Sequence, residues 1–163
     1  MINALLDYLS GLPKEVITLI IAALPVVELR LALPLALTKL QMPLSQAFLF
    51  SYIGNMVPVI PLLVLLEPVS ERLRHFHVWR RFFDWLFERT RKRADIVQRY
   101  EAIGLILLVA IPLPATGAWT GCIAASLFKI KFRYAFPAIC IGVLIAGGIV
   151  ALLTLTGAKL ISP

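Results

Sequence analysis

The chain has 163 residues, of which 60% are hydrophobic, compared with roughly 45–50% in soluble globular domains. Its mean hydropathy of +0.90 excludes an ordinary soluble protein and predicts an integral membrane protein. The net charge is +7, and nine of the sixteen Lys and Arg residues lie at positions 72–99, between apolar stretches. This placement favours membrane lipids with anionic headgroups over nucleic acid as the charged partner.

The N-terminal segment and four apolar stretches define the predicted elements. Ile2, Leu5, Leu6 and Leu9 share one helical face, which predicts a short interfacial helix over residues 2–10. The apolar stretches that follow cover about residues 15–40, 44–66, 102–128 and 134–158. The segments between them are too short for a separate soluble domain of about 50 residues, so one membrane domain is expected.

The first apolar stretch is interrupted at its centre by LPVVELRLALP, which contains Pro25, Glu28, Arg30 and Pro34. A proline within a helix removes one backbone donor and clashes with the preceding turn. Broken backbone at membrane depth is tolerated only where it is buried in protein or lines a water-filled cavity. We therefore expect Pro25 and Pro34 to mark a turn that faces the protein interior.

Glu28 and Arg30 are charges within a membrane segment. An ionised side chain near the bilayer centre costs at least about 2.5–3.5 kcal/mol, so such residues mark a pathway, a relay or an ion pair. In one interpretation the two residues form a structural salt bridge. In the other, Arg30 binds a phosphate or carboxylate of the substrate through bidentate hydrogen bonds, and Glu28 exchanges a proton during transport.

The stretches 44–66 and 134–158 contain no such break and are predicted to cross the bilayer as helices. Their glycines predict close helix packing, since small residues let helix backbones approach one another in lipid. In the first of these spans Asn55, Pro58 and Pro61 predict a bend.

Residues 70–93 have the pattern of a basic amphipathic helix that lies at headgroup level, with Ser70 as its N-cap. Its predicted headgroup-binding surface consists of Arg72, Arg74, Arg80 and Arg81. Alternatively, the segment only fixes the two halves of the chain relative to one another. His75 and His77 diverge on a helix, and no metal site is predicted.

The second interrupted stretch contains IPLPATGAWTG, residues 111–121. Three of its residues, Pro112, Pro114 and Gly117, allow a tight turn. A half-helix that begins near Ala118 would direct its free N–H groups towards the bilayer midplane, where they favour an anion. The predicted substrate-binding groups of this turn are Thr116, Gly117, Trp119 and Thr120. Alternatively, these groups only replace the lost helix hydrogen bonds.

Each interrupted stretch could cross the bilayer as a kinked helix or form a re-entrant hairpin, and the distribution of charge favours the hairpin. With two hairpins, residues 70–100 and the loop 129–133 share one face, which then carries twelve basic residues against three on the other. With two full crossings the counts are eleven and four, and the basic KIKFR loop lies outside.

The two halves of the chain align at an offset of 88 residues, which places 43–54 over 131–142. A single-residue gap also pairs Pro25 with Pro112. A hairpin followed by one crossing in each half predicts an inverted repeat, a plan that recurs in secondary transporters. The fold class predicted is therefore all-α, with a first repeat over 1–69, a linker over 70–100 and a second repeat over 101–163.

The stretches PVVELRLALPLAL (25–37) and IPLPATGAWTG (111–121) resemble the two signature stretches of the small multidrug export protein family, a relative of the DedA superfamily with the VTT fold. The resemblance implies two re-entrant hairpins that face one another. For the wider superfamily it implies lipid movement across the bilayer, including undecaprenyl phosphate, with proton coupling. Glu28 and Arg30 resemble the acidic residue and the neighbouring arginine of the first hairpin. The second hairpin lacks the arginine typical of DedA proteins.

These observations lead to a functional expectation with two alternatives. We expect a multi-pass carrier of the prokaryotic cytoplasmic membrane, with residues 70–100 on the cytoplasmic side. It would act as a flippase for an anionic lipid, such as an isoprenoid phosphate or a phospholipid, and could couple this to protons. The alternatives are a proton-coupled exporter of cationic drugs, with Glu28 as the cation site, and a membrane scaffold that transports nothing.

Enzyme chemistry is not expected, because the sequence offers no pair of nucleophile and base, no metal cluster and no phosphate-binding loop. No cofactor is expected either. A chain of this size is small for enclosing a lipid path, so a homodimer is expected.

Overall fold

The computed structural model of the chain describes residues 9, 11–73, 84, 88, 95–112 and 116–161. Within these residues all regular structure is helical and no strand occurs, which confirms the all-α fold. The helices are α1 (Lys14–Ala23), α2 (Glu28–Thr38), α3 (Leu44–Met56), α4 (Val59–Leu73), α5 (Asp95–Ala110), α6 (Ala118–Leu127) and α7 (Phe132–Ile161).

The described residues divide into two compact units. The first lies within Met1–Met56 and Gly147–Pro163, and the second within Val57–Ala146. In the first unit α1, α2 and α3 pack against one another. In the second unit α6 packs against both α4 and α5. In each unit, therefore, a short helix from an interrupted stretch packs against the helix that precedes it.

Among the residues that the structure describes, two helical stretches are long and apolar enough to cross a membrane. They are Leu44–Leu66, with 23 residues, and Phe132–Gly157, with 26 residues. The first contains a turn at residues 57–58, where α3 gives way to α4, close to the predicted bend. By contrast, α1, α2 and α6 have 10 or 11 residues each and span about 15 Å, half the thickness of a hydrocarbon core.

The first interruption lies at residues 24–27, between α1 and α2, and contains Pro25 as predicted. The prediction that Pro34 also marks a turn was wrong, because Pro34 lies inside α2. Proline has no N–H to bond to the carbonyl of Arg30, yet the helix continues through it. The hydroxyl of Thr38 donates a hydrogen bond to the Pro34 carbonyl at 2.8 Å.

The same order of elements occurs in both halves of the chain. A short helix (α2 or α6) is followed by a residue with positive φ, Gln41 at 51° or Lys129 at 53°. The long helical stretch then begins three residues later, at Leu44 or Phe132. These pairs of positions are all separated by the offset of 88 residues.

Close packing at glycine also occurs twice. A Cβ built on Gly54 would collide with the carbonyl oxygen of Leu19 in α1. A Cβ built on Gly142 would lie 3.0 Å from the carbonyl oxygen of Ile106 in α5 and 2.7 Å from the Cβ of Val109. The prediction that the glycines of the long spans allow close helix approach is therefore confirmed at Gly54 and Gly142, but it was wrong at Gly148, where nothing lies within 4 Å of an added Cβ.

Some predictions concern residues outside the described ranges. They include the interfacial helix over 2–10, most of the amphipathic linker, and Arg74, Arg80, Arg81 and Pro114. The predicted helix start at Ser70 was wrong, because α4 continues to Leu73 and takes in Ser70 and Arg72. Pro68 lies within this helix without ending it.

Candidate functional site

Glu28 is the first residue of α2 and has an unusual backbone conformation. Its φ is 50°, in the left-handed region, and only 6% of its surface is exposed. Its N–H donates a hydrogen bond to the carbonyl of Leu24 at 3.0 Å, which links the helix start to the preceding break. A residue with a side chain costs about 1–2 kcal/mol in this conformation. Conformations of this kind cluster at functional sites, where the surroundings impose them.

Arg30 lies one residue beyond Leu29 and is less buried than Glu28. Its side chain is partly exposed and interacts electrostatically with Glu28. This interaction is compatible with the predicted ion pair. A partly exposed guanidinium can also bind a phosphate or carboxylate in bidentate geometry. Glu28 is therefore enclosed by protein, whereas Arg30 is only partly enclosed.

Helix α3 brings a second polar pair to the same unit, which the sequence analysis missed. Ser51 and Asn55 are 0% and 2% exposed, and the Ser51 Oγ and Asn55 Oδ1 atoms make no hydrogen bond. A buried polar atom without a partner costs about 1–3 kcal/mol. The sequence signal was two polar side chains four residues apart in an apolar span, but Asn55 was interpreted only as part of a bend.

The second interruption separates α5 from α6, and it contains Pro112 as predicted. Gly117, which precedes α6, has φ 156° and ψ −165°, a region that is essentially restricted to glycine. No side chain caps the start of α6 through a hydrogen bond at this residue. The prediction of a half-helix beginning near Ala118 is confirmed, since α6 starts at that residue.

Thr116 has a structural contact within this interruption. Its hydroxyl donates a hydrogen bond to the carbonyl of Ile111 at 3.0 Å, and the residue is 9% exposed. The Ile111 carbonyl thus receives a donor where the helix has ended, as expected if these groups replace lost helix hydrogen bonds. Trp119 and Thr120 lie in the first turn of α6 and are partly exposed. The structure thus gathers four of the predicted binding residues, Thr116, Gly117, Trp119 and Thr120, at one helix start.

The predicted site residues therefore form two groups, one in each unit. Glu28 and Arg30 belong to the first unit, and the group from Thr116 to Thr120 belongs to the second. That the two interruptions face one another stays a prediction. Among the residues that the structure describes, no cluster of three or more His, Cys, Asp or Glu side chains could hold a metal ion.

A family model described as "Putative small multi-drug export protein" matches residues 28–149, which begin at the first residue of α2 and include the second interruption and both long apolar stretches up to residue 149. No curated protein and no solved structure matches the chain significantly. The relationship to the DedA superfamily and the VTT fold stays a prediction.

Proposed function

Because this chain belongs to the family described as putative small multi-drug export proteins, we propose that it is a membrane transporter for an anionic amphiphile. The family description and the two long apolar stretches both support a membrane export protein. The substrate we propose has a phosphate headgroup and a lipid tail, as in an isoprenoid phosphate or a phospholipid. The transporter would move this headgroup between the leaflets of the prokaryotic cytoplasmic membrane.

The observation that carries this proposal is the difference in burial between Glu28 and Arg30. Arg30 is partly exposed, so a headgroup could reach its guanidinium. Glu28 is 6% exposed and is better suited to hold a proton than to contact a bulky ligand. Buried ionisable residues at membrane depth are typical of proton relays in transporters. We therefore assign headgroup binding to Arg30 and proton coupling to Glu28.

The architecture we propose is an inverted repeat, with one re-entrant hairpin and one crossing helix in each half. Three observations support it: α1 and α2 are too short to cross a bilayer alone, they pack against each other, and only four residues join them. In the second half the short helix α6 packs against α5 in the same way. Discontinuous helices of this kind hold substrates in secondary transporters.

The second interruption supplies further groups that suit an anion. The N-terminal turn of a helix presents backbone N–H groups and the positive end of the helix dipole. In α6 this turn contains Trp119 and Thr120, and no side chain caps it at Gly117. We propose that these groups interact with the headgroup during transport, whereas Thr116 mainly stabilises the interruption through its bond to Ile111.

Leaflet exchange in liposomes tests the proposal. The purified protein is reconstituted with a fluorescent anionic phospholipid, and exchange is followed by quenching of the outer leaflet. Arg30→Ala should slow exchange about tenfold or more, the equivalent of losing one charge-assisted hydrogen bond. Glu28→Gln should abolish the dependence of exchange on an imposed pH gradient. Wild-type behaviour of both variants would exclude the assigned site.

Two substitutions serve as matched controls. Lys39→Ala removes an exposed positive charge just after α2, and Glu15→Gln removes a partly exposed carboxylate in the first turn of α1. Both should leave exchange unchanged, because neither residue lies at an interruption. A loss of exchange in these controls equal to that in Arg30→Ala would mean that the assay responds to net charge alone.

Export of lipophilic cations is a second candidate, which the family description favours about equally. In this case the Glu28 carboxylate would bind the cation in place of a proton. Cells that express the protein would tolerate higher concentrations of lipophilic cations, and Glu28→Gln would remove this tolerance. Resistance without anionic lipid exchange would favour this candidate over the first.

A further inference from the structure

Ser51 and Asn55 form a buried polar pair to which the proposed function gives no role. They are four residues apart in α3, so their side chains lie on one face of the helix, one turn apart. Both are more than nine-tenths buried, and the Ser51 Oγ and Asn55 Oδ1 atoms have no hydrogen-bond partner. Buried polar atoms in this situation commonly bind an ordered water molecule.

The pair lies at the same level of the unit as Glu28. Helices α2 and α3 pack against each other and are joined by only five residues, 39–43, so they run antiparallel. The start of α2 is therefore level with the last turn of α3. The packing of Gly54 also places the last turn of α3 near the first interruption. Gly54 lies against Leu19 and Ala22, and Ala22 is close to the end of α1, just before the interruption.

The second half of the chain shows that packing does not require polar side chains at these positions. The residues 88 positions later are Ile139 and Val143, which are 0% and 2% exposed. The burial is the same, but the side chains are apolar. Only the half that contains Glu28 carries the polar pair. The polar pair therefore occurs together with the Glu28 carboxyl group, and the packing of the long helix does not require it.

We propose that Ser51 and Asn55 hold a buried water molecule that connects to the Glu28 carboxyl group and carries protons to it. The Asn55 Oδ1 atom would accept one hydrogen bond from the water, and the Ser51 hydroxyl would donate or accept another. The water passes one proton to the carboxylate for each proton that it receives, so it is unchanged after each transfer. Both residues act as positioning residues, and this inference rests on the proposed proton-coupling role of Glu28.

Infrared difference spectroscopy of the reconstituted protein tests the water directly. The spectra compare acidic and alkaline pH, and Glu28→Gln identifies the carboxyl band of Glu28. We expect a water O–H band that shifts in H₂¹⁸O, and a Glu28 carboxyl band at a frequency typical of a hydrogen-bonded group. The double substitution Ser51→Ile and Asn55→Val introduces the residues of the second half. It should remove the water band and raise the frequency of the carboxyl band.

Ser45→Ala, at an exposed position of α3, is the matched control and should leave both bands unchanged. If the double variant does not fold, Ser51→Ala removes a single oxygen and serves for the same measurement. Bands that are identical in the wild type and the Ser51 variants would overturn the proposal.

Leaflet exchange driven by a pH gradient separates this inference from the proposed function. We expect the double variant to lose about tenfold in gradient-driven exchange, while exchange without a gradient stays close to wild type. An absence of lipid exchange in the wild type would overturn the proposed function but not the water site. Loss of the infrared water band without any effect on gradient-driven exchange would overturn the relay.

Discussion

Gln41 and Lys129 are 88 residues apart in the sequence and adopt the same left-handed backbone conformation, with φ values of 51° and 53°. Each follows the short helix of its half. The next residue in each case returns a hydrogen bond to that helix, from the Met42 N–H to the Ala36 carbonyl and from the Ile130 N–H to the Ala125 carbonyl. Both short helices are therefore followed by a left-handed residue whose successor bonds back to the helix, across six residues in the first half and five in the second, although neither left-handed residue is a glycine.

From the left-handed backbone conformation of Gln41 and Lys129 we predict that glycine is preferred at both positions. Gln41→Gly and Lys129→Gly should each raise the free energy of unfolding by about 0.5–1 kcal/mol, because the left-handed strain of the side chain exceeds the entropy cost of glycine. Lys39→Gly is the control and should be destabilising, since Lys39 has a right-handed helical conformation. Denaturant unfolding in detergent measures all three. If all three substitutions destabilise the protein, Gln41 and Lys129 are not strained.

The close helix packing at Gly54 and Gly142 gives a second prediction. Gly54→Ala and Gly142→Ala should lower the free energy of unfolding by about 1–3 kcal/mol or more, because the new Cβ meets backbone or a buried branched side chain. Gly148→Ala is the matched control, since nothing lies within 4 Å of a Cβ at that position. Thermal unfolding in detergent should place the control at or above the wild type. Equal losses at all three glycines would indicate an effect of helix flexibility instead of contact.

The interruptions of both apolar stretches could be predicted from the sequence, because proline acts on the backbone whatever surrounds it. Pro25 and Pro112 lie between helices as expected, and α6 starts at Ala118. The same rule failed at Pro34, where the helix tolerates the missing donor. Tertiary packing of α2 against α1 and α3 stabilises the helix at this point, and the local sequence does not contain this information.

The polar pair on α3 shows a second limit of sequence analysis. An apolar helix has many faces, and only the fold determines which of them is buried. Ser51 and Asn55 could equally have faced a loop or the solvent. Their importance depends on burial and on unsatisfied oxygen atoms, which are properties of the folded unit. The left-handed conformation of Glu28 is likewise absent from the sequence pattern, since glutamate shows no general preference for it.

The backbone of Glu28 gives a third prediction, which separates conformational strain from the carboxyl group. Glu28→Gly should be more stable than Glu28→Ala by about 1 kcal/mol, because glycine adopts positive φ without steric cost. At Arg30, in regular helix, the order should be reversed, with Arg30→Ala more stable than Arg30→Gly by about 1 kcal/mol. Chemical unfolding of the four variants tests the reversal. The same order at both positions would argue against a strained Glu28.

The loops at Lys39 and Lys131 distinguish re-entrant hairpins from full crossings. Each lysine is exposed and follows the short helix of its half. Two hairpins place the two loops on opposite faces of the membrane, whereas two crossings place them on the same face. We expect Lys39→Cys and Lys131→Cys, introduced with Cys122 and Cys140 replaced by alanine, to react with a membrane-impermeant maleimide from opposite sides of oriented vesicles. Arg133 lies in the first turn of α7, two residues beyond Lys131, so Arg133→Cys must label from the same side as Lys131→Cys. Labelling of all three positions from one side would exclude the re-entrant architecture, and the inverted repeat with it.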